Sequence, residues 1–162
     1  MSPEEFSNLF RAQLPEISRF LARRLPADDV EDLAADLFEL AWSKRDEIPQ
    51  GLELPWLYKS ARYLISNHLR KSANRSRILG LLSEPVAAPS AELIALEDIA
   101  LRTAWGQLTQ SEQALLALWA FEGLGHKEIA VTLSVSENAA AIRLTRAKKH
   151  LQEILLQSEK NN

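Results

Sequence analysis

Apolar residues recur every three to four positions along most of the chain, and this spacing predicts helices. Two such stripes occupy the first 43 residues. The first predicted helix ends before Pro26, and either Asp28 or Asp29 can cap the second. The first stripe comprises Phe6, Leu9, Phe10, Leu14, Ile17, Leu21 and Leu25. The second stripe comprises Val30, Leu33, Leu37, Leu40 and Ala41. The sequence shows no alternating pattern typical of strands.

The remaining punctuation divides the chain into two parts. A loop is expected from about Lys44 to Leu54, and Pro55 suits the first turn of a third helix running to about Ala73. Residues 81–92 are rich in small residues and contain two prolines, which is typical of a linker. A helix from about Ala91 to Gly106 follows. We therefore predict an all-α fold of two small helical domains (1–78 and 96–162), joined by a flexible linker (79–95).

The strongest local pattern is a helix-turn-helix between Leu108 and Ile154. A short helix is expected from Glu128 to Leu133, and residues 134–136 form the turn. Ser136 can cap the next helix by accepting a backbone hydrogen bond. The predicted apolar seam comprises Ile129, Leu133, Val135, Ala140 and Leu144. The second helix carries cations suited to phosphates: Arg143, Arg146, Lys148 and Lys149. A purely structural helical pair is the alternative, but the basic second helix favours DNA binding.

Composition excludes several functional classes. The chain has 162 residues and no cysteine, which rules out disulfides, thiolate metal sites and cysteine nucleophiles. Its three histidines are not at metal-ligand spacing, and it has no glycine-rich phosphate loop, so neither an enzyme nor a cofactor is expected. It has no secretory signal and no apolar run long enough for a membrane helix. We expect a cytoplasmic protein that does not insert into membranes.

The net charge of -3 conceals an alternating distribution. Residues 1–50 carry five more acidic than basic side chains, and residues 51–80 carry five more basic than acidic ones. Residues 81–125 are again acidic, and residues 126–162 are basic by two charges. Two basic segments suggest two contacts with nucleic acid, and the acidic segments suggest protein partners.

The third predicted helix supports the first of these contacts. At 100° per residue, one face combines cations with an aromatic ring and a hydroxyl: Lys59, Arg62, Tyr63, Ser66 and Arg70. Such a face can hold phosphates and stack on an unpaired base, although a solvated amphipathic helix is the alternative. Basic residues continue beyond it, which favours nucleic acid. His68 lies on the apolar face and is expected to be a packed core residue.

Three ordered segments together resemble the sigma-70 family of bacterial RNA polymerase sigma factors, in the small extracytoplasmic-function group. The segments are DDVEDLAADLFELAW (28–42), PWLYKSARYLISNHLRK (55–71) and the helix-turn-helix. The resemblance spans about residues 6–155. It implies a sigma region 2-like first domain, which binds the polymerase clamp helices and the −10 element. It also implies a sigma region 4-like second domain, which binds the −35 element and rests on the polymerase flap.

The resemblance implies three sets of contact residues. Those expected to bind the polymerase clamp are Asp29, Glu31, Asp32, Asp36 and Glu39. Those expected at the melted −10 strand are Lys59, Arg62, Tyr63, Ser66, Asn67, Arg70 and Lys71. Those expected at the −35 element are Ser136, Asn138, Ile142, Arg143, Thr145, Arg146, Lys148 and Lys149. Because the recognition helix carries Ala139, Ala140 and Ala141, few direct base contacts are expected.

The leading hypothesis is therefore a sigma factor that binds core RNA polymerase and promoter DNA and is controlled by an anti-sigma factor or another regulatory protein. One alternative is an autonomous helix-turn-helix regulator, which would have no need of the segments at 28–42 and 55–71. Another is a sigma-like decoy that binds an anti-sigma factor without using DNA. The alanine-rich recognition helix favours the decoy, whereas the basic segment at 51–80 opposes it.

Overall fold

The computed structural model describes residues 1–78 and 98–161, and every regular element in these ranges is helical. The chain forms two compact units, Met1–Ala88 and Pro89–Asn162. The first unit contains α1 (Pro3–Ala22), α2 (Ala27–Ser43) and α3 (Glu53–Ile78). The second contains α4 (Ile99–Gly106), α5 (Gln110–Ala120), α6 (His126–Leu133) and α7 (Glu137–Lys160). The all-α prediction is confirmed, and the predicted linker lies outside the described residues.

The helix starts in the first unit differ from the predicted ones. Neither Asp28 nor Asp29 caps α2, so that prediction is wrong: Pro26 occupies the N-cap and provides no side-chain bond. Both carboxylates instead lie in the first turn, where the helix dipole favours negative charge. The loop before α3 contains a short 3-10 turn, Arg45–Glu47. Helix α3 begins two residues before Pro55 and extends beyond Ala73 to Ile78.

The core of the first unit forms where the apolar stripes of all three helices meet. Ile17, Leu37 and Leu57 are each fully buried, one from each helix. The ring of Phe20 stacks on that of Tyr58 with centroids 4.6 Å apart. On the carboxyl side of α1, the side chain of Arg24 is buried. Its guanidinium lies 3.7 Å from the Phe20 ring centroid and donates to the Phe20 carbonyl at 3.1 Å. This arginine therefore supports the core rather than the basic surface.

The second unit is organised around α7, which packs on α4, α5 and α6. Side-chain caps fix the starts of three helices, from Asp98, Thr109 and Ser136. Gln113 is buried in α5, and its amide donates to the carbonyl of Trp105 at 2.8 Å. This bond ties the first turn of α5 to the end of α4.

The helix-turn-helix consists of α6 and α7. Helix α6 begins at His126, two residues earlier than predicted, and ends at Leu133 as predicted. Ser134 adopts the left-handed conformation (φ 55, ψ 46), and the Val135 amide donates back to the Ala130 carbonyl at 3.0 Å. Ser136 then caps α7, because its hydroxyl accepts from the Ala139 amide at 3.0 Å. The predicted seam is buried at Ile129, Ala140 and Leu144 and half-buried at Leu133 and Val135.

Candidate nucleic-acid and polymerase interface

The buried stripe of α7 determines which of its side chains reach solvent. Ala140, Leu144 and Ala147 face the interior of the second unit. The exposed side therefore presents most of the predicted −35 residues: Ser136, Asn138, Ile142, Arg143, Thr145, Arg146 and Lys149. Two of their hydroxyl groups already have backbone partners, since Ser136 caps the helix and Thr145 donates to the Ala141 carbonyl at 3.0 Å. The exposed face thus combines cations with few polar groups that could hydrogen-bond a base edge.

Lys148 differs from the other predicted phosphate contacts. It is half-buried, and its ammonium lies 3.8 Å from the ring centroid of Trp119 in α5. This cation–π contact holds the charge on the side of α7 that faces α5. Helix-wheel reasoning missed Trp119, because a wheel gives the direction of a side chain but not its neighbour on another helix.

A second pairing links α7 to α5. The imidazole Nδ1 of His150 lies 2.7 Å from Oε2 of Glu112. Glu112 lies in the first turn of α5, so the contact ties the middle of the recognition helix to the start of the helix beneath it.

In the first unit, the predicted −10 residues follow α3 as a nearly continuous exposed row. Lys59, Tyr63, Ser66, Arg70 and Lys71 are exposed, and 63% of the Tyr63 surface is accessible. Asn67 and Arg62 are half-buried. The row therefore combines four cations and an upright aromatic ring, and Arg62 is the least accessible of the cations.

A groove of about 450 Å³ lies beside this row, at the start of α3. It is lined by Leu40, Lys44, Glu47, Trp56, Lys59, Ser60 and Tyr63. The sequence argument found Lys59 and Tyr63 but missed the rest, because the loop before α3 has no aromatic residue. The indole of Trp56 comes from α3 itself, about two turns before Tyr63. The groove brings two aromatic rings, two lysines and a carboxylate together, which suits a planar, hydrogen-bonding ligand such as a nucleobase.

The acidic helix α2 carries six carboxylates and no cation. Four of the five predicted clamp contacts are exposed: Glu31, Asp32, Asp36 and Glu39. Asp29 is half-buried instead, and its Oδ2 lies 3.2 Å from Nε2 of His68 in α3. The prediction of a packed core histidine is therefore wrong, since 31% of the His68 side chain is accessible and the ring pairs with a carboxylate.

No described helix is both long and apolar enough to cross a membrane. Within residues 1–78 and 98–161, no group of His, Asp and Glu side chains is arranged to hold a metal ion.

These features define an all-helical DNA-binding protein whose second unit is a helix-turn-helix. Residues 98–151 match the family described as "Sigma-70, region 4". The chain is 26% identical to the RNA polymerase sigma factor NccH of Alcaligenes xylosoxydans xylosoxydans over 144 residues, or 83% of this chain and 77% of that protein. It is also 26% identical to the probable RNA polymerase sigma factor RfaY of Xanthomonas campestris over 136 residues. That alignment covers 78% of this chain and 34% of the longer relative.

Two solved structures share the fold. One is the sigma factor RpoE in complex with the anti-sigma factor NepR from Bartonella quintana, with a TM-score of 0.65 and 21% identity over 94% of this chain and 97% of that one. The other is CnrH in complex with the cytosolic domain of CnrY, with a TM-score of 0.63 and 21% identity over 95% of this chain and 89% of that one. Together with the region 4 match, these relatives place the chain in the sigma-70 family of RNA polymerase sigma factors, in the extracytoplasmic-function group. Proteins of this family are not themselves enzymes.

Proposed function

We propose that this chain binds core RNA polymerase and directs it to promoters through a −35 contact by α7 and a −10 contact by α3. The first domain would bind the polymerase clamp and the −10 element, and the second would bind the −35 element and the flap. The observation that carries the proposal is the pair of basic helix faces, one in each unit. The acidic α2 is the natural surface for a basic polymerase partner. Since transcription takes place in the bacterial cytoplasm, we place the protein there.

At the −35 element, α7 would enter the major groove with its amino-terminal end first. Arg143, Arg146 and Lys149 would hold phosphates, while Asn138 could hydrogen-bond a base edge and Ile142 could contact a thymine methyl. Ile142 is 43% exposed, which suits that contact. Lys148 would contribute less than the other cations, because its ammonium lies over Trp119. With so few polar groups on this face, shape readout would supply part of the specificity.

At the −10 element, the groove beside α3 would take an unpaired base. Tyr63 and Trp56 would provide stacking surfaces, and the cations along α3 would hold the backbone of the melted strand. A base outside the duplex exposes its Watson–Crick edge, which Lys44, Glu47 and Ser60 could contact with donors and acceptors. The groove therefore supports single-strand binding more specifically than the charge of α3 alone.

The sigma factors in the two solved complexes bind anti-sigma proteins, and we propose a regulator of this kind for this chain as well. A separate regulatory protein fits the acidic surface of α2, which offers complementary charge to a basic partner.

Reconstituted transcription tests the proposed function directly. The purified full-length chain is mixed with core RNA polymerase, and initiation is measured at candidate promoters, including the one upstream of its own gene. A stable complex with site-specific initiation is the expected result. DNA binding without polymerase association would instead favour an autonomous regulator. Failure of both, together with tight binding to an anti-sigma protein, would favour a decoy.

A further inference from the structure

A second groove, of about 610 Å³, runs between α1 and α2 in the first unit. Its walls are largely apolar and include Phe10, Leu14, Val30, Ala34, Ala35 and Phe38. The rings of Phe10 and Phe38 meet edge to face at 4.8 Å, and 37% of Phe10 remains exposed. The groove is therefore an apolar surface at which a ring already stands open to solvent.

The shape of the groove suits a helix. Small alanines line its α2 side, at positions 27, 34 and 35, so the backbone of a ligand could approach closely. From Ala27 to Phe38 this side extends about 17 Å along the helix axis, at about 1.5 Å per residue. This length matches about three turns of an α-helix laid along the groove, the arrangement of a helix-in-groove complex.

The charges around the groove are unequal on its two edges. On the α2 side, Asp28, Glu31 and Glu39 fall in one row, and Ala35 occupies the remaining place in it. Helix α2 carries no cation to neutralise this row. The α1 edge carries Arg11. A ligand helix would therefore be favoured by cations on the edge facing α2 and not on the edge facing α1.

The groove is also separate from the centre of the acidic face. At about 100° per residue, Asp32 and Asp36 point roughly 130–170° away from the groove's midline. Polymerase docking on that acidic face would leave the α1 side of the groove accessible to another protein.

We propose that this groove docks a short amphipathic helix of a separate regulatory protein, with Lys or Arg along the edge that faces α2. The groove supplies the apolar contact, and the carboxylate row fixes the direction and register of the helix. Describing the occupant as a regulator rests on the proposed sigma function, whereas the groove's preference for such a helix does not.

The first test uses three synthetic peptides of about 14 residues, the length that spans the groove. One has a leucine stripe with lysines along one edge, the second has glutamates in place of those lysines, and the third is a scramble of the first. Binding to the full-length chain is followed by amide chemical shifts. The lysine-edged peptide is expected to perturb Ala27, Ala34 and Ala35 and to bind about tenfold more tightly than the other two. Equal binding by the scrambled or glutamate-edged peptide, or perturbations centred elsewhere, would overturn the proposal.

The second test compares two variants of α1 that add the same charge. Ser18 lines the groove, whereas Ala12 is exposed about 120° around the same helix, at 3.6 residues per turn. Ser18→Arg is expected to weaken the lysine-edged peptide about tenfold, and Ala12→Arg less than about twofold. Equal weakening would indicate non-specific charge repulsion and would contradict the proposal. Ala35→Trp, which fills the groove from an exposed position, provides an uncharged check if Ser18→Arg disturbs folding.

Core RNA polymerase separates the two possible protein sources. If a regulator uses the groove, Ser18→Arg retains polymerase binding while losing the peptide. Loss of both would assign the groove to the polymerase and overturn the regulator proposal. Failure of the wild-type chain to bind polymerase would instead contradict the proposed sigma function, and the peptide results would still decide whether the groove accepts a basic helix.

Discussion

Helices α3 and α7 have similar lengths and both present a row of cations, yet their surroundings differ. Helix α3 has 26 residues and a groove containing Trp56 and Tyr63 at its start. Helix α7 has 24 residues, and Lys148 lies on Trp119 of the neighbouring helix, away from the outward face. An open ring beside cations suits an unpaired base, whereas a plain convex face suits the groove of a duplex. Charge alone therefore indicates nucleic acid, and the neighbouring aromatic side chains indicate which form of it.

The largest expected effect separates these two faces at α3. Tyr63→Ala should weaken binding to a single-stranded −10 oligonucleotide about tenfold, because stacking on one aromatic side chain contributes about 1–3 kcal/mol. Duplex −35 binding should be unchanged. Fluorescence anisotropy with both probes measures the difference. Tyr63→Phe is the matched control, because it keeps the ring and should keep most of the affinity. Equal loss on both probes would show that the two faces do not divide the work in this way.

The complementary change removes the duplex contacts. Arg146→Ala with Lys149→Ala should weaken duplex binding at every sequence and lower the salt slope by about 2, since each phosphate contact contributes about 0.9. Single-strand binding by α3 should persist. Lys148→Ala serves as the control and should change the slope less, because the Lys148 ammonium lies over Trp119. Affinity measured between about 50 and 200 mM salt provides the test. An unchanged slope in the double variant would place the DNA face elsewhere.

The turn that orients α7 provides a smaller effect on stability. Ser134→Gly should raise the free energy of unfolding of the second unit by about 1 kcal/mol, because a left-handed residue with a Cβ costs about 1–2 kcal/mol. Two residues later, Ser136→Ala should lower the stability by about 1 kcal/mol through loss of the cap. Native-state hydrogen exchange of α7 amides in the full chain measures both. Changes of the same sign in the two variants would contradict this account of the turn.

The smallest effect distinguishes the first helix of the first unit from α7. At the start of α1, Ser2 and Glu5 form a reciprocal capping box, and the backbone hydrogen bond from Ser2 lowers the pKa of Glu5 below its usual 4.5. Because the folded pKa is lowered, this stabilisation is present above the unfolded value and is lost as pH falls through the folded one. The first turn of α1 should therefore fray below about pH 4.5, the usual carboxyl range. The cap of α7 has no carboxylate and should not respond.

An NMR titration of the Ser2 and Ala139 amides follows both caps in one sample. Glu5→Gln should remove the acid dependence at Ser2 while keeping a hydrogen-bonding side chain. A titration of the Ala139 amide that parallels that of Ser2 would show general acid unfolding instead.

Much of the candidate site follows from the sequence, because period and capping chemistry act over one or two turns. The serine cap at Ser136 and the outward cations of α7 needed no tertiary information. The groove beside α3 could not be predicted in this way, since Leu40 and Lys44 reach it from the end of α2. The polymerase-facing set was placed correctly on an exposed helix, except that the pairing of Asp29 with His68 depends on how α2 and α3 pack.

The sequence by itself determined that the chain is all-helical, that it ends in a helix-turn-helix, and that its charge alternates along its length. Those properties depend on local periodicity and on residue type. Only the tertiary structure decided that Arg24 supports the core, that Lys148 lies on Trp119, and that an apolar groove remains between α1 and α2. The physical reason is that a helical wheel fixes the direction of a side chain, whereas its partner is set by the packing of a helix distant in sequence.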